Sequence, residues 1–209
     1  MPLSLDTLRE KIAHARTTQH YISGDGTSEE RKLAHQVTGR TVRPAAVLIL
    51  LTREHDISND WNIVLTQRTA HLHDHAGQIS FPGGRMDAED ADLVATALRE
   101  ASEEIGTNAQ SIEVMGALPS YVTVTAYEVT PVVAVSGPQT YRCDPFEVAD
   151  VFQVPLAHVL DEKNWRRDAF TRAGLRREYW AVPYRERYVW GATAGMLRTL
   201  KLVLSSGSR

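Results

Sequence analysis

Apolar residues recur along this chain with two different periods, which predict two kinds of secondary structure. Near the start, Leu5, Leu8, Ile12 and Ala15 follow steps of three or four residues, the pattern of an amphipathic helix. Further on, short apolar and β-branched runs bounded by polar residues predict strands at 46–52, 63–68, 78–81, 112–118 and 129–135. We therefore expect a mainly β core with helices packed against it.

The clearest helix is predicted between the third and fourth of these strands. Apolar residues repeat at helical spacing over 90–105, Asp90 is a candidate N-cap, and Gly106 follows where a left-handed C-terminal residue is favoured. The remaining pattern predicts a strand leading into a short helix at 151–160, a hairpin of 166–171 with 178–183, and a closing amphipathic helix at 192–204.

The length and the distribution of polar residues favour one elaborated domain. The chain has 209 residues, enough for one substantial core, and no linker or internal repeat divides it. Residues 17–39 are polar and rich in turn-forming residues. We interpret 1–40 as an N-terminal helix and loop extension, and 41–209 as the main domain.

Charge and composition exclude several classes of partner. With 23 Lys and Arg against 26 Asp and Glu, the net charge of -3 provides no basic surface for nucleic acid. The longest apolar run, 45–51, is far shorter than the roughly 20 residues that span a bilayer, so no membrane partner is expected. The single cysteine, Cys143, and the lack of a secretion signal at the start favour a cytoplasmic protein.

Three glutamates of the predicted 90–105 helix form the strongest chemical signal. Glu100, Glu103 and Glu104 stand at i, i+3 and i+4, so their carboxylates are expected within one turn of each other. Taken alone, this spacing is also that of an ordinary acidic surface helix. The preceding Phe81-Pro82-Gly83-Gly84 changes the interpretation, because paired glycines let a backbone approach phosphate closely. Carboxylate oxygens beside such a turn favour Mg²⁺ or Mn²⁺.

Residues 84–107 resemble the Nudix box, in which a glycine and a spaced acid precede an Arg-Glu and a Glu-Glu pair. The closing half, Arg99-Glu100-Ala101-Ser102-Glu103-Glu104-Ile105-Gly106, matches this pattern. The opening half is one residue longer and lacks the early glutamate, near which Asp87 and Asp90 occur. The resemblance implies a Nudix hydrolase with an α/β fold, specifically an α/β/α sandwich with a mixed β-sheet between helices.

The chain is also similar to the coenzyme A pyrophosphatase-like branch of that family. The similarity lies in Val64-Leu65-Thr66-Gln67-Arg68-Thr69 followed by Gly77 and Phe81-Pro82-Gly83-Gly84. Two positions differ, with Thr69 in place of a small Ser or Ala and His73 in place of an arginine. This branch implies hydrolysis of coenzyme A or acyl-CoA to 3',5'-ADP and (acyl-)4'-phosphopantetheine by metal-activated water.

The resemblance also implies roles for individual residues. Glu100, Glu103 and Glu104 would bind Mg²⁺ or Mn²⁺, and Arg99 would brace a carboxylate at the preceding turn. Glu147 is our candidate general base, although it could instead be a strand-end glutamate that pairs with an arginine. The catalytic set is thus Arg99, Glu103, Glu104 and Glu147, and the substrate-binding set is Arg68, His73, Gly83, Gly84 and Arg85.

Several alternatives stay open at this point. His71, His73 and His75 alternate and could bind zinc, but no cysteine or acidic ligand accompanies them, so substrate contact is favoured. The substrate could be another small nucleotide such as NADH, ADP-ribose or a damaged nucleotide. A nucleotide-binding module without turnover is a third hypothesis, which the retention of three glutamates disfavours. A homodimer is one open oligomeric state.

Overall fold

The central strand, β1, is Arg43–Thr52, and it is apolar on both faces because it is covered on both sides. In the computed structural model, which describes residues 3–15, 41–53, 60–71, 77–123, 125–172 and 175–206, β1 pairs in parallel with β7, Tyr127–Ser136. It pairs antiparallel with β2, Asn62–Arg68, and with β4, Gly83–Arg85. One parallel pair among antiparallel ones makes this a mixed sheet.

The other strands extend the sheet on either side of this centre. These strands are β3 Ile79–Ser80, β5 Ile112–Ala117, β6 Tyr121–Val122 and β8 Val148–Pro155. The strand order along the main path of the sheet is β3-β2-β1-β7-β5. In addition, β6 pairs with β7, and β8 pairs with β2. A separate hairpin consists of β9 Arg166–Arg172 and β10 Leu175–Ala181.

Helices cover both faces of the sheet. They are α1 Leu5–Ala13, α2 Leu93–Ile105, α3 Leu156–Leu160 and α4 Gly191–Ser205. Ala45, Ile49 and Leu51 point to the core that includes residues of α1, α3 and α4. Ala46, Leu48 and Leu50 point the other way, to the core formed with α2. Alternate residues of β1 thus supply two cores, which confirms the predicted three-layer arrangement.

The structure confirms the predicted helices and strands, with one local correction. Gly106 adopts the left-handed conformation with φ of 69° and ends α2 as expected. Asp90 was expected to cap this helix, and that prediction is wrong, because the N-cap is Asp92, whose side chain accepts from the Ala95 N–H at 2.8 Å. Asp90 does not cap the helix, and its carboxylate binds Arg99 instead. The division of the chain at residue 40 stays a prediction.

None of the helices in the described part of the chain is long and apolar enough to cross a membrane.

Candidate active site

The site is built where the glycine strand β4 lies between β1 and α2. Gly83 has a φ of 155°, and a Cβ at this position would overlap the backbone of Ala46 and Val47. At Gly84 an added Cβ would overlap the carboxylate of Glu100. Because both residues lack a side chain, the acidic helix packs directly against this backbone.

Glu104 is the most buried of the three box glutamates. Its side chain is 7 % exposed, and its Oε2 accepts from the Gly83 N–H at 3.2 Å. Burial, with a smaller contribution from the neighbouring charges of Glu147 and Glu100, raises the pKa of Glu104 to about 8. The Gly83 N–H and Arg68, whose Nη1 lies 4.0 Å from Oε1, offset only part of this effect.

Glu100 and Glu147 share the electrostatic environment of Glu104. Burial raises the pKa of Glu100 as well, the Arg99 guanidinium opposes that shift, and the charges of Glu103 and Glu147 add to it. Glu147 arrives from the turn just before β8, far along the chain from α2. Tertiary structure thus brings a fourth carboxylate to the three of the helix.

An arginine on α2 holds the outer carboxylates together. Arg99 donates from Nε and Nη2 to the two oxygens of Asp90, each at 2.9 Å. It also lies 3.0 Å from Glu100, donates to Glu103 Oε2 at 2.9 Å, and donates to the Arg85 carbonyl at 3.2 Å. Hydrogen bonds from Arg99 hold the pKa of Asp90 well below its usual range.

Asp90 binds Arg99 and does not cap the helix, which its position before the helix had predicted. Its side chain is 5 % exposed, whereas that of Asp87, the other acid near the expected early glutamate, is 68 % exposed and 3.6 Å from Arg99. Thr96 also donates to Asp90 from its hydroxyl, at 2.9 Å. The Nudix box pattern has an acidic residue in this segment, so the resemblance could have identified Asp90 as the partner of Arg99. The helix-capping preferences instead favoured Asp90 as the N-cap.

The three box glutamates do not point to one place. Glu103 is 60 % exposed and paired with Arg99, whereas Glu100 and Glu104 lie against Gly84 and Gly83. Over the described ranges, no group of three His, Cys, Asp or Glu side chains stands ready to ligate a metal. The chemistry of the donors nevertheless fits a hard divalent cation, because clustered carboxylate oxygens with surplus negative charge are what Mg²⁺ and Mn²⁺ bind.

The other predicted site residues are distributed around this centre. Arg68 lies beside Glu104, and Arg85 is exposed at the end of β4. His73 and His75 lie outside the described residues, and His71 is exposed with its ring centroid 5.1 Å from that of Phe146. In the part of the chain that is described, no arginine or lysine forms an ion pair with Glu147, and its role stays a prediction.

A glycine strand packed against a carboxylate-bearing helix, on a mixed sheet between helices, is the arrangement of a Nudix hydrolase. The family model described as the NUDIX domain matches residues 42–173, and the chain belongs to this family. It is 42 % identical over 181 residues to the Nudix hydrolase NudL of Citrobacter koseri, covering 85 % of this chain and 92 % of that protein. The protein of the same name from Escherichia coli O1:K1 is 41 % identical over 181 residues, with the same two coverages of 85 % and 92 %.

Among solved structures, one that this chain resembles is a Nudix hydrolase from M. smegmatis, RenU. It has a TM-score of 0.48 and 21 % identity, and the match covers 57 % of this chain and 74 % of that one. Nudix hydrolases act on small nucleotide-containing molecules and generally use divalent metals such as Mg²⁺ or Mn²⁺.

The Asp90–Arg99 pair gives a first prediction. Asp90→Asn removes the charge that faces the half-buried guanidinium, so Arg99 loses its main partner. We expect the melting temperature to fall by several degrees and activity to fall with it, because Arg99 no longer braces the turn between β4 and α2. Asp87→Asn is the matched control and should change neither quantity, because Asp87 is exposed. Equal melting temperatures for the two variants would contradict this role of Asp90.

The raised pKa of Glu104 gives a second prediction, for the protein in EDTA. The folded state keeps this carboxyl protonated up to about pH 8, whereas the unfolded chain ionises it near 4.5. The folded state binds the extra proton between these values, so the free energy of unfolding must fall, by about 1 to 3 kcal/mol, from pH 5 to pH 8.

Urea denaturation at both pH values measures this change. Glu104→Gln has no proton to lose and should remove most of the slope, while Glu103→Gln, which alters an exposed carboxylate, should keep it. A wild-type slope in Glu104→Gln would show that this carboxyl is not the group that titrates.

Proposed function

We propose that this Nudix hydrolase cleaves the pyrophosphate bond of coenzyme A or acyl-CoA, releasing 3',5'-ADP and (acyl-)4'-phosphopantetheine. The observation that carries the hydrolytic part is the group of carboxylates, Glu100, Glu104 and Glu147, gathered beside the Gly83–Gly84 backbone with too few cations to balance them. Such a surplus of negative charge is unfavourable in the folded protein unless a cation binds there.

The residues that would hold Mg²⁺ or Mn²⁺ are Glu100, Glu103 and Glu104. The metal supplies two things when bound, a water acidic enough to act as a nucleophile near neutral pH and positive charge against the diphosphate. Glu103 is the outermost of the three, and Arg99 restrains its carboxylate.

Other residues would bind the substrate and move the proton. The resemblance to the Nudix box implies that the backbone of Gly83 and Gly84 would lie against the phosphates. Arg68 lies beside Glu104, and Arg85 is exposed at the end of β4, the strand that contains Gly83 and Gly84. Both guanidinium groups can therefore pair with phosphate charge. Glu147 would accept the proton of the attacking water, since its charge acts on Glu100 and Glu104 and no ion pair engages it among the described residues.

The coenzyme A assignment rests on the similarity of residues 64–84 to the coenzyme A pyrophosphatase-like branch. One residue of that segment favours a second candidate, hydrolysis of another nucleoside diphosphate derivative such as NADH or ADP-ribose. His73 stands where the branch has an arginine, and an imidazole is only partly charged at pH 7. A 3'-phosphate, which coenzyme A has and these alternatives lack, would then lose a fixed cationic partner.

Product analysis tests the function directly. The purified protein with Mg²⁺ is incubated with coenzyme A, dephospho-CoA, NADH, ADP-ribose and nucleoside triphosphates, and products are identified by mass. We expect 3',5'-ADP and 4'-phosphopantetheine from coenzyme A at the highest kcat/KM. Preference for NADH or ADP-ribose would replace the coenzyme A assignment with the second candidate.

Loss of turnover in glutamate variants is the accompanying prediction. Glu103→Gln and Glu104→Gln should each lower kcat at least about 100-fold, because a metal-dependent step loses a ligand. Glu113→Gln is the control, since this exposed glutamate pairs with Arg9 away from the site. Near-normal turnover in both box variants, with the fold intact by circular dichroism, would end the metal-site assignment.

Recognition of the 3'-phosphate gives a further prediction. His73→Arg supplies a permanent charge at this position and should lower KM for coenzyme A several-fold. Dephospho-CoA, which lacks the 3'-phosphate, serves as the internal control and should be unaffected. The same change in KM for both substrates would exclude a 3'-phosphate role for residue 73.

A further inference from the structure

The backbone on both sides of Glu147 is fully hydrogen-bonded. The carbonyl of Phe146 accepts from the Thr69 hydroxyl at 2.8 Å, and the Glu147 N–H donates to the Asp144 carbonyl at 3.2 Å. The Glu147 carbonyl accepts from the Thr69 N–H at 3.0 Å, and the Val148 N–H donates to the Asp144 carbonyl at 2.8 Å. Two peptide planes flank the Cα of Glu147, and all four of their polar groups are bound.

Thr69 alone supplies both donors on one side of this turn. It follows directly after Arg68, the last residue of β2, and is 6 % exposed, so its amide and hydroxyl are held in place by the sheet. Fixing both peptide planes fixes φ and ψ at Glu147 and therefore the direction of its Cα–Cβ bond. A fixed Cα–Cβ bond limits the positions that the Glu147 carboxylate can reach to those given by its own side-chain rotamers.

The same turn is tied to the acidic helix on its other side. The Asp144 N–H donates to the carbonyl of Glu104 at 2.8 Å, and Asp144 Oδ1 accepts from the Phe146 N–H at 2.8 Å. The turn thus spans from the helix that carries the box glutamates to the end of β2. Without the Thr69 hydroxyl, the carbonyl of Phe146 would lose its only side-chain donor among the hydrogen bonds of the described residues, and the peptide plane before Glu147 would be held less firmly.

We propose that Thr69 is a positioning residue, which orients Glu147 toward Glu100 and Glu104 for proton transfer. This inference rests on the proposed function, because it takes Glu147 as the general base. The threonine hydroxyl is the essential feature, because a serine would keep the contact with the Phe146 carbonyl and an alanine would not. Displacements well under 1 Å matter for a base that must reach one water.

Thr69→Val removes the hydroxyl while keeping the size and branching of the side chain. We expect kcat to fall about 10-fold with KM within about 2-fold, since a misdirected base affects the chemical step more than binding. Thr69→Ser should restore most of the turnover. Thr52→Val is the matched control, because the buried Thr52 hydroxyl also donates to a loop carbonyl, that of Gly137 at 3.0 Å, at the opposite end of β1 from β4. It should leave kcat unchanged.

A double-mutant cycle separates positioning from general destabilisation. If Thr69 acts through Glu147, Thr69→Val should have no further effect on kcat in a Glu147→Gln background. Additive effects of the two substitutions, normal turnover in Thr69→Val, or failure of Thr69→Ser to rescue would each overturn the inference.

Two further results keep the inference distinguishable from the proposed function. If Glu147→Gln retains wild-type turnover of coenzyme A, the inference fails while the substrate assignment stands. If the wild-type protein hydrolyses no member of the panel, the proposed function fails. Amide hydrogen exchange then tests, independently of activity, whether Thr69 anchors the turn that carries Glu147. Faster exchange at Glu147 and Val148 in Thr69→Val would support the anchoring, and unchanged exchange would refute it.

Discussion

The close approach of a side-chain-free strand to an acidic helix is the constraint on which this site depends. Gly83 and Gly84 pair with β1 on one edge and contact Glu104 and Glu100 on the other. A Cβ at Gly83 would overlap the backbone of β1, and one at Gly84 would overlap the Glu100 carboxylate, so this close packing of strand and helix requires glycine at position 83 and is closest with glycine at position 84.

The close packing of strand and helix brings carboxylates together, and the neighbouring cations balance their negative charge only in part. Glu104 is buried with one backbone donor and a distant arginine, and two further carboxylates act on it. Arg99 takes up the outer negative charges of Asp90, Glu100 and Glu103, but it does not reach the inner one. Stability is thus reduced at the place where a divalent cation and a diphosphate would restore it, a common arrangement at functional sites.

The sequence pattern and the folded structure differ most clearly in which of Asp90 and Asp92 caps the acidic helix. Both are acids just before an apolar helical repeat, and capping preferences alone do not choose between them. The choice follows from Arg99, two turns into the helix, whose guanidinium binds both oxygens of Asp90 and leaves Asp92 to cap. A similar limit applies to Glu103 and Glu104, which are adjacent in sequence but differ in exposure because successive helical residues point about 100° apart.

Hydrophobic period, paired glycines and spaced acids are local properties, and they were enough to predict most of the helices and strands, the acidic helix and, by resemblance, the family with its mixed sheet. The folded protein was needed to show which box glutamate is buried, which acid binds Arg99, and how Thr69 holds the turn that carries Glu147. These features depend on contacts between residues that are separated in sequence, by 9 positions for Asp90 and Arg99 and by 77 for Thr69 and Phe146, and burial and hydrogen-bond partners at such separations have no local signal.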